Sequence, residues 1–118
     1  MDSYYYYQLG IKKMKEGELE QAIDNLKKSS NMHRHYKTFE MLYECYLKLG
    51  NKKQSDCYIY LAYCENPRND KVAFLYAQTI LDRDIADSKK ILKEILLRNK
   101  SYLPADKLLT KIEKEGYS

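Results

Sequence analysis

Phe39-Glu40-Met41-Leu42-Tyr43-Glu44-Cys45-Tyr46, with the Leu47-Lys48-Leu49-Gly50 that follows, is the stretch that decides the fold. Phe39, Leu42, Tyr43 and Tyr46 stand at i, i+3, i+4 and i+7, the spacing that puts apolar side chains on one stripe of an α-helix. Gly50 falls just past that stripe, where a glycine can take the left-handed conformation that closes a helix. Laying the chain over itself at a shift of 33 residues repeats the pattern in both directions. Tyr6, Phe39, Val72 and Ala105 align, and so do Leu9, Leu42, Leu75 and Leu108. Further along, Ala22, Ser55 and Ser88 form a small-residue column, followed by Leu26, Ile59 and Leu92 as a large one. Gly17, Gly50 and Gly116 share another column. The third copy has Arg83 there, with Asp82, Asp84 and Asp87 beside it to stop one helix and cap the next.

This periodicity predicts seven helices, at about residues 3–16, 19–31, 36–49, 52–65, 69–82, 85–99 and 103–115. Pro67 cannot continue the fourth helix, and Pro104 fits the first turn of the seventh, where its missing N–H is not needed. Connections this short make each pair antiparallel, and a pair alone would leave an apolar face wet, so neighbours are expected to stack. The expected organisation is a single all-α domain, 1–118, with repeats at 3–35, 36–68 and 69–101 and a capping helix at 102–116. Leu108, Leu109 and Ile112 should pack inward from that last helix, leaving Lys107, Lys111 and Lys114 in water.

These residues resemble the tetratricopeptide repeat, whose signature is an aromatic, Leu-Gly, an aromatic, a later Ala, a Phe and a closing Pro. The first copy offers Tyr6, Leu9-Gly10, Ala22 and Leu26, and the second Phe39, Leu42, Tyr46, Ile59, Ala62 and Pro67. The third is weaker, with Val72, Leu75, Leu92 and Ile95, and Lys100 where the proline would stand. The inner Gly column becomes Tyr43 and Tyr76, which should splay their helix pairs, and the small column is serine twice. The Thr-Pro-Leu-His turn of ankyrin repeats is absent.

The resemblance implies a right-handed α-α superhelix whose concave groove holds a segment of a partner protein. Projected onto this chain, the family's groove positions are Tyr4, Tyr7, Ile11 and Met14, then Lys37, Glu40, Glu44, Leu47 and Lys48, then Asp70, Ala73, Ala77 and Ile80. One subclass clamps the C-terminal carboxylate of a chaperone with Lys and Asn. Tyr7 and Ile11 stand where that clamp would need them, so such tails are not the expected ligand. The lining suits apolar anchors with a Lys or Arg at the middle, unless Glu40 and Glu44 are met by Lys37 and Lys48 as an ordinary helical ladder. Of Tyr4 to Tyr7, four consecutive helical residues, only Tyr6 takes a core position. The others are left to the groove or to covering the open N-terminal end.

Composition narrows the remaining classes. At 118 residues, 44% hydrophobic and 32% charged, the chain reads as a soluble folded domain, and no apolar run approaches the ~20 residues that span a bilayer. The start, Met1-Asp2-Ser3-Tyr4, lacks a basic and then apolar leader, which leaves a cytoplasmic location as the expectation. Cys45, Cys57 and Cys64 form no CxxC pair and read as small buried fillers in a reducing compartment. With His33 and His35 they lack metal-ligand spacing, so neither a metal nor another cofactor is expected. The four glycines form no phosphate-cradling run and no nucleophile-base signature is present, so the chain does not read as an enzyme. The +4 charge lies in residues 89–118, with eight Lys/Arg against four Asp/Glu. Arg98, Lys100 and the last lysines could meet an acidic protein or a phosphate backbone, but only Tyr102 and Tyr117 are interleaved for base stacking, so nucleic acid is not the expected partner. The expected function is an adaptor or scaffold. The alternatives are a dedicated inhibitor or chaperone, such as a toxin-immunity protein or effector holder, and a self-associating subunit.

Overall fold

The computed structural model describes residues 1–116, which form seven α-helices and no strand. They are α1 (Ser3–Lys15), α2 (Leu19–Met32), α3 (Tyr36–Lys48), α4 (Lys52–Glu65), α5 (Asp70–Ile80), α6 (Ile85–Arg98) and α7 (Leu103–Glu115). Each helix begins and ends within two residues of its expected bounds. Among the described residues no helix is long and apolar enough to cross a membrane. Tyr117 lies outside the described residues.

The helix ends follow local chemistry. Gly17, Gly50 and Gly116 have φ of 78°, 77° and 70°, left-handed values that a side chain would strain. The Arg83 copy turns without positive φ: the Arg83 and Asp84 amides both donate to the Ile80 carbonyl, and the Asp84 carboxylate accepts from the Asp87 amide at 3.0 Å. Asp2, Asn51 and Asn69 cap α1, α4 and α5 in the same way. Histidine starts α3, with His35 Nδ1 accepting from the Lys37 amide at 3.1 Å. Pro104 sits in the first turn of α7.

The chain divides into two compact units, Met1–Asn66 and Pro67–Ser118. In the first, α1 packs on α2, α2 on α3 and α3 on α4. Its core includes Ala22, Leu26, Leu42, Cys45, Ile59 and Ala62, all at 0% exposure. Burying each Leu or Ile stabilises by roughly 1.5–3 kcal/mol. Gly10 lets α1 approach α2 so closely that a β-carbon there would stand 2.7 Å from Leu26 Cγ. Tyr43, in the same column, does not splay its pair: α3 packs on α4 as extensively as α1 on α2. The second unit packs α5 on α6 less extensively, and α6 on α7. Its core includes Val72, Ile91, Leu92, Ile95, Ala105 and Ile112. Leu108 and Leu109 are half-buried, and Lys107, Lys111 and Lys114 are exposed.

The serine substitutions in the small column have separate reasons. Ser55 folds its hydroxyl back to the Lys52 carbonyl in its own helix, at 2.9 Å. Ser88 donates across to the Ala77 carbonyl at 2.8 Å, near the end of α5, where the Leu81 amide turns instead to Gln78. An alanine there would fill the space and leave that carbonyl without the hydroxyl.

The cysteine expectation needs correction. Cys45 is buried, but Cys57 and Cys64 are exposed, because α4 turns Ser55, Ile59 and Ala62 inward and these two fall off that stripe.

Candidate partner-binding face

On α1, Tyr4, Tyr7, Ile11 and Met14 follow one another at i, i+3, i+7 and i+10, so they share a face. Tyr4 is 66% exposed, and the other three are half-buried. Lys37, Glu40, Glu44, Leu47 and Lys48 make a similar stripe on α3. Lys37, Leu47 and Lys48 are exposed, Glu44 is half-buried and Glu40 is buried. α1 and α3 touch, which brings the two stripes side by side within the first unit.

The electrostatics of Tyr7 register this meeting. Its phenol is held above the ordinary tyrosine value, first by burial and then by the charges of Glu40, Tyr36, Glu44 and Tyr4. Tyr7 therefore bridges an aromatic end and an acidic middle. At the aromatic end Ser3, Tyr4, Tyr7, Ser29, His35, Lys37 and Thr38 line an open pocket of about 290 Å³. Ser29 and Thr38 are buried at its floor, and the Ser29 hydroxyl donates to the Ser3 carbonyl at 2.7 Å, tying the end of α2 to the start of α1. His35 stacks on Tyr36 with ring centroids 5.0 Å apart. The pocket is just below the size range of small-molecule sites, about 300–1,000 Å³, and suits one large side chain of a partner. It is built from the ends of three helices. Ser3, Ser29, His35 and Thr38 were not foreseen, since only His35, as a helix-start residue beside Lys37, carried a local signal.

The second unit corrects part of the expected lining. Ala73 and Ala77 are 0% exposed and Ile80 is 2% exposed, so they offer a ligand no surface. Small side chains that let helices approach are the first to disappear into a core. Asp70 is engaged within its own unit: one oxygen accepts from Arg98 Nε at 2.7 Å and the other from Asn99 at 3.0 Å. Burial works to raise its pKa, but these hydrogen bonds and the Arg98 charge prevail and hold the carboxyl below its ordinary value. Arg98 also donates to the Pro67 carbonyl, which removes it from the free basic surface expected near the C-terminus.

The N-terminal tyrosines divide by exposure. Tyr6 is half-buried under Lys28, whose Nζ lies 5.6 Å from the ring centroid, while Tyr5 meets Tyr6 edge-on. A further aromatic set lay outside the sequence reading. Tyr58 of α4 stacks on Tyr46 and Phe39 of α3, at 5.6 and 6.2 Å. Lys27 covers the Tyr46 ring and Arg34 the Phe39 ring. Arg34 also reaches Glu65 of α4 at 2.8 Å. Among the described residues no cluster of three metal-ligating side chains occurs.

Antiparallel helix pairs repeated along a chain, with a small-residue column at each crossing, define a helical-repeat protein. Solved structures make the class narrower: the chain has the tetratricopeptide-repeat fold. The first TPR of Spaghetti (RPAP3), bound to the HSP90 peptide SRMEEVD, superposes with a TM-score of 0.79 at 18% identity, over 99% of this chain and 94% of that one. The second TPR domain of human RPAP3, in complex with the HSP70 peptide SGPTIEEVD, gives 0.73 at 16% identity, over 94% and 98%. The Yersinia enterocolitica type III secretion translocator chaperone SycD gives 0.69 at 15% identity, over 93% and 89%. SycD in complex with a peptide of the translocator YopD gives 0.67 at 14% identity, over 94% and 86%. No family model matches the sequence, and neither does any curated protein.

Proposed function

We propose that this chain is a cytoplasmic, non-catalytic protein-interaction module that holds a segment of a partner protein on the α1/α3 face. The observation that carries the reading is the pocket between Tyr4, Tyr7 and Lys37, with Glu40 and Glu44 acting on the same Tyr7. Tyrosine suits such a surface, because it combines a large rigid ring with a polar tip. The partner would seat an apolar or aromatic side chain in the pocket and set a Lys or Arg beside Glu44. Met14, Leu47 and Lys48 would extend the contact along the two helices.

Chaperone tails are poor candidates for that segment. The HSP90 and HSP70 peptides held by the RPAP3 domains end in Glu-Glu-Val-Asp. Here Tyr7 and Ile11 replace the donors such a carboxylate needs, and Glu40 and Glu44 add like charge. Each missing charge-assisted bond is worth roughly 1.5–3 kcal/mol. The SycD complex favours a second reading, a dedicated chaperone of one exported or toxic protein.

The test is capture of partners from the source cell on the tagged chain, beside a Tyr4→Ala, Tyr7→Ala, Glu44→Lys variant. A stoichiometric partner held by the wild type and lost by the variant is the expected result. One tight partner would favour the dedicated chaperone, and several transient ones the adaptor. Partners indifferent to the variant, or recovery of self alone, would remove the α1/α3 assignment.

A further inference from the structure

Leu97 is 82% exposed although it lies in the last turn of a regular helix, a greater exposure than any other large hydrophobic side chain described. It belongs to the outer face of α6. Ser88, Ile91, Leu92 and Ile95 of that helix turn inward, while Ala86, Lys90, Lys93, Glu94 and Leu97 turn out. With Lys89, these outward residues line one continuous shallow depression, and Leu97 also borders a second beside Arg68 and Glu94. Leu97 is thus an apolar ridge between two hollows, the first walled largely by the aliphatic stems of lysines and the second by Arg68, Glu94 and Arg98.

The charges on this face are one-sided. Lys89, Lys90, Lys93 and Arg68 face a single carboxylate, Glu94. Among the described residues none of these cations has a carboxylate oxygen within 4.0 Å, whereas Lys13, Arg34, Lys52 and Arg98 are each paired. Three unpaired lysines beside a protruding leucine present attraction for negative charge and dry surface at one place.

We propose that the outer face of α6 is a second binding surface, for an acidic protein segment that covers Leu97 with an apolar side chain of its own. Charge complementarity selects the acidic partner. Leu97 selects a protein over a bare polyanion. Base stacking would need free rings, but Tyr102 packs edge-on against Phe74, at 6.3 Å. Insertion at a lipid surface would need a broad apolar face, and this one is mostly lysine. From Ala86 to Leu97 the stripe runs about 16 Å at 1.5 Å per residue, which matches about three turns of an amphipathic helix.

A fluorescein-labelled synthetic helical peptide of about 18 residues, with glutamates flanking two central leucines, is the probe, read by fluorescence anisotropy at low and physiological salt. The wild-type chain is expected to bind it, more weakly as salt rises. Lys90→Glu with Lys93→Glu should weaken binding by about tenfold or more, and Leu97→Ser by about fivefold. Tyr7→Ala should leave it unchanged, and backbone amide shifts in nuclear magnetic resonance of the wild type should cluster on residues 86–97. Lys90, Lys93 and Leu97 are at the surface, and circular dichroism verifies the helicity of every variant. Tighter binding to phosphatidylserine vesicles or to single-stranded oligothymidylate than to the peptide would overturn the proposal. So would indifference to either α6 variant, shifts centred elsewhere, or no binding of the peptide at millimolar concentration.

Discussion

Replacing Gly10 with alanine should destabilise the protein, although alanine is the better helix former. In the interior of α1 the exchange gains about 1 kcal/mol of helix propensity. The added β-carbon, however, would stand 2.7 Å from Leu26 Cγ, 2.8 Å from Leu26 Cδ2 and 3.4 Å from the Ala22 carbonyl oxygen. Ordinary carbon contacts lie at about 3.5–4.0 Å, so Leu26 or the helix must move by about 1 Å. Leu26 and Ala22 are both 0% exposed, so neither can retreat into solvent. Overpacking of this kind costs about 1–3 kcal/mol, leaving a net loss of about 1 kcal/mol and a fall in Tm of about 3–5 °C. Thermal melts followed by circular dichroism measure it. The same Gly10→Ala change made in a Leu26→Ala background should reverse sign and stabilise, since the opposing atoms are gone. If Gly10→Ala raised Tm equally in both backgrounds, the close approach of α1 and α2 would not govern this position.

Three further outcomes follow from particular contacts. Ser88→Ala should cost about 1–2 kcal/mol in denaturant unfolding, because it removes the hydroxyl from the Ala77 carbonyl in a buried position. Asp70→Asn should destabilise by about 1 kcal/mol at pH 7. The folded carboxyl titrates below the unfolded one, so its contribution is complete above the unfolded value, near pH 3.9, and fades as pH falls through the folded value. The gap between wild-type and Asp70→Asn melting curves should therefore close with acid, and a gap unchanged at pH 2.5 would count against the Arg98–Asn99–Asp70 network. In thiol titration with a chromogenic disulfide, Cys57 and Cys64 should react at once. Cys45, pushed up to about 11 by burial, should react only on unfolding.

The fold was legible because its determinants are local and repeat. The Phe39–Tyr46 stripe, the three left-handed glycines and Pro104 each act through their own few residues, and a period of 33 multiplied the signal. Legibility failed where a side chain's surroundings come from another helix. Ser88 looked like a weakened alanine until the unserved Ala77 carbonyl across the pair explained it. Tyr43 was expected to force α3 from α4, but its side chain is half-buried and the two helices pack as extensively as α1 and α2. Cys57 and Cys64 were assigned to the interior by residue type, and the rotation of α4 set them outside.

The candidate face was readable in the same measure. Equal spacing on α1 and α3 was enough to align Tyr4, Tyr7 and Ile11 against Glu40 and Glu44, because a helical stripe is a local property and adjacent pairs share a register. Carrying that register to α5 failed, since the register says which residues share a direction and not whether the surroundings leave them open. Asp70 shows the difference. Its direction was inferred from spacing, but its role is decided by Arg98 and Asn99, which lie 28 and 29 residues further along the chain. The same pairing changes the meaning of the basic C-terminal quarter. With Arg98 held by Asp70 and Pro67, the cations open to a partner on α6 are Lys89, Lys90 and Lys93, around a leucine that no apolar neighbour covers. A count of charges places an excess in residues 89–118. Only the ion pairs tell which of those charges remain available to bind.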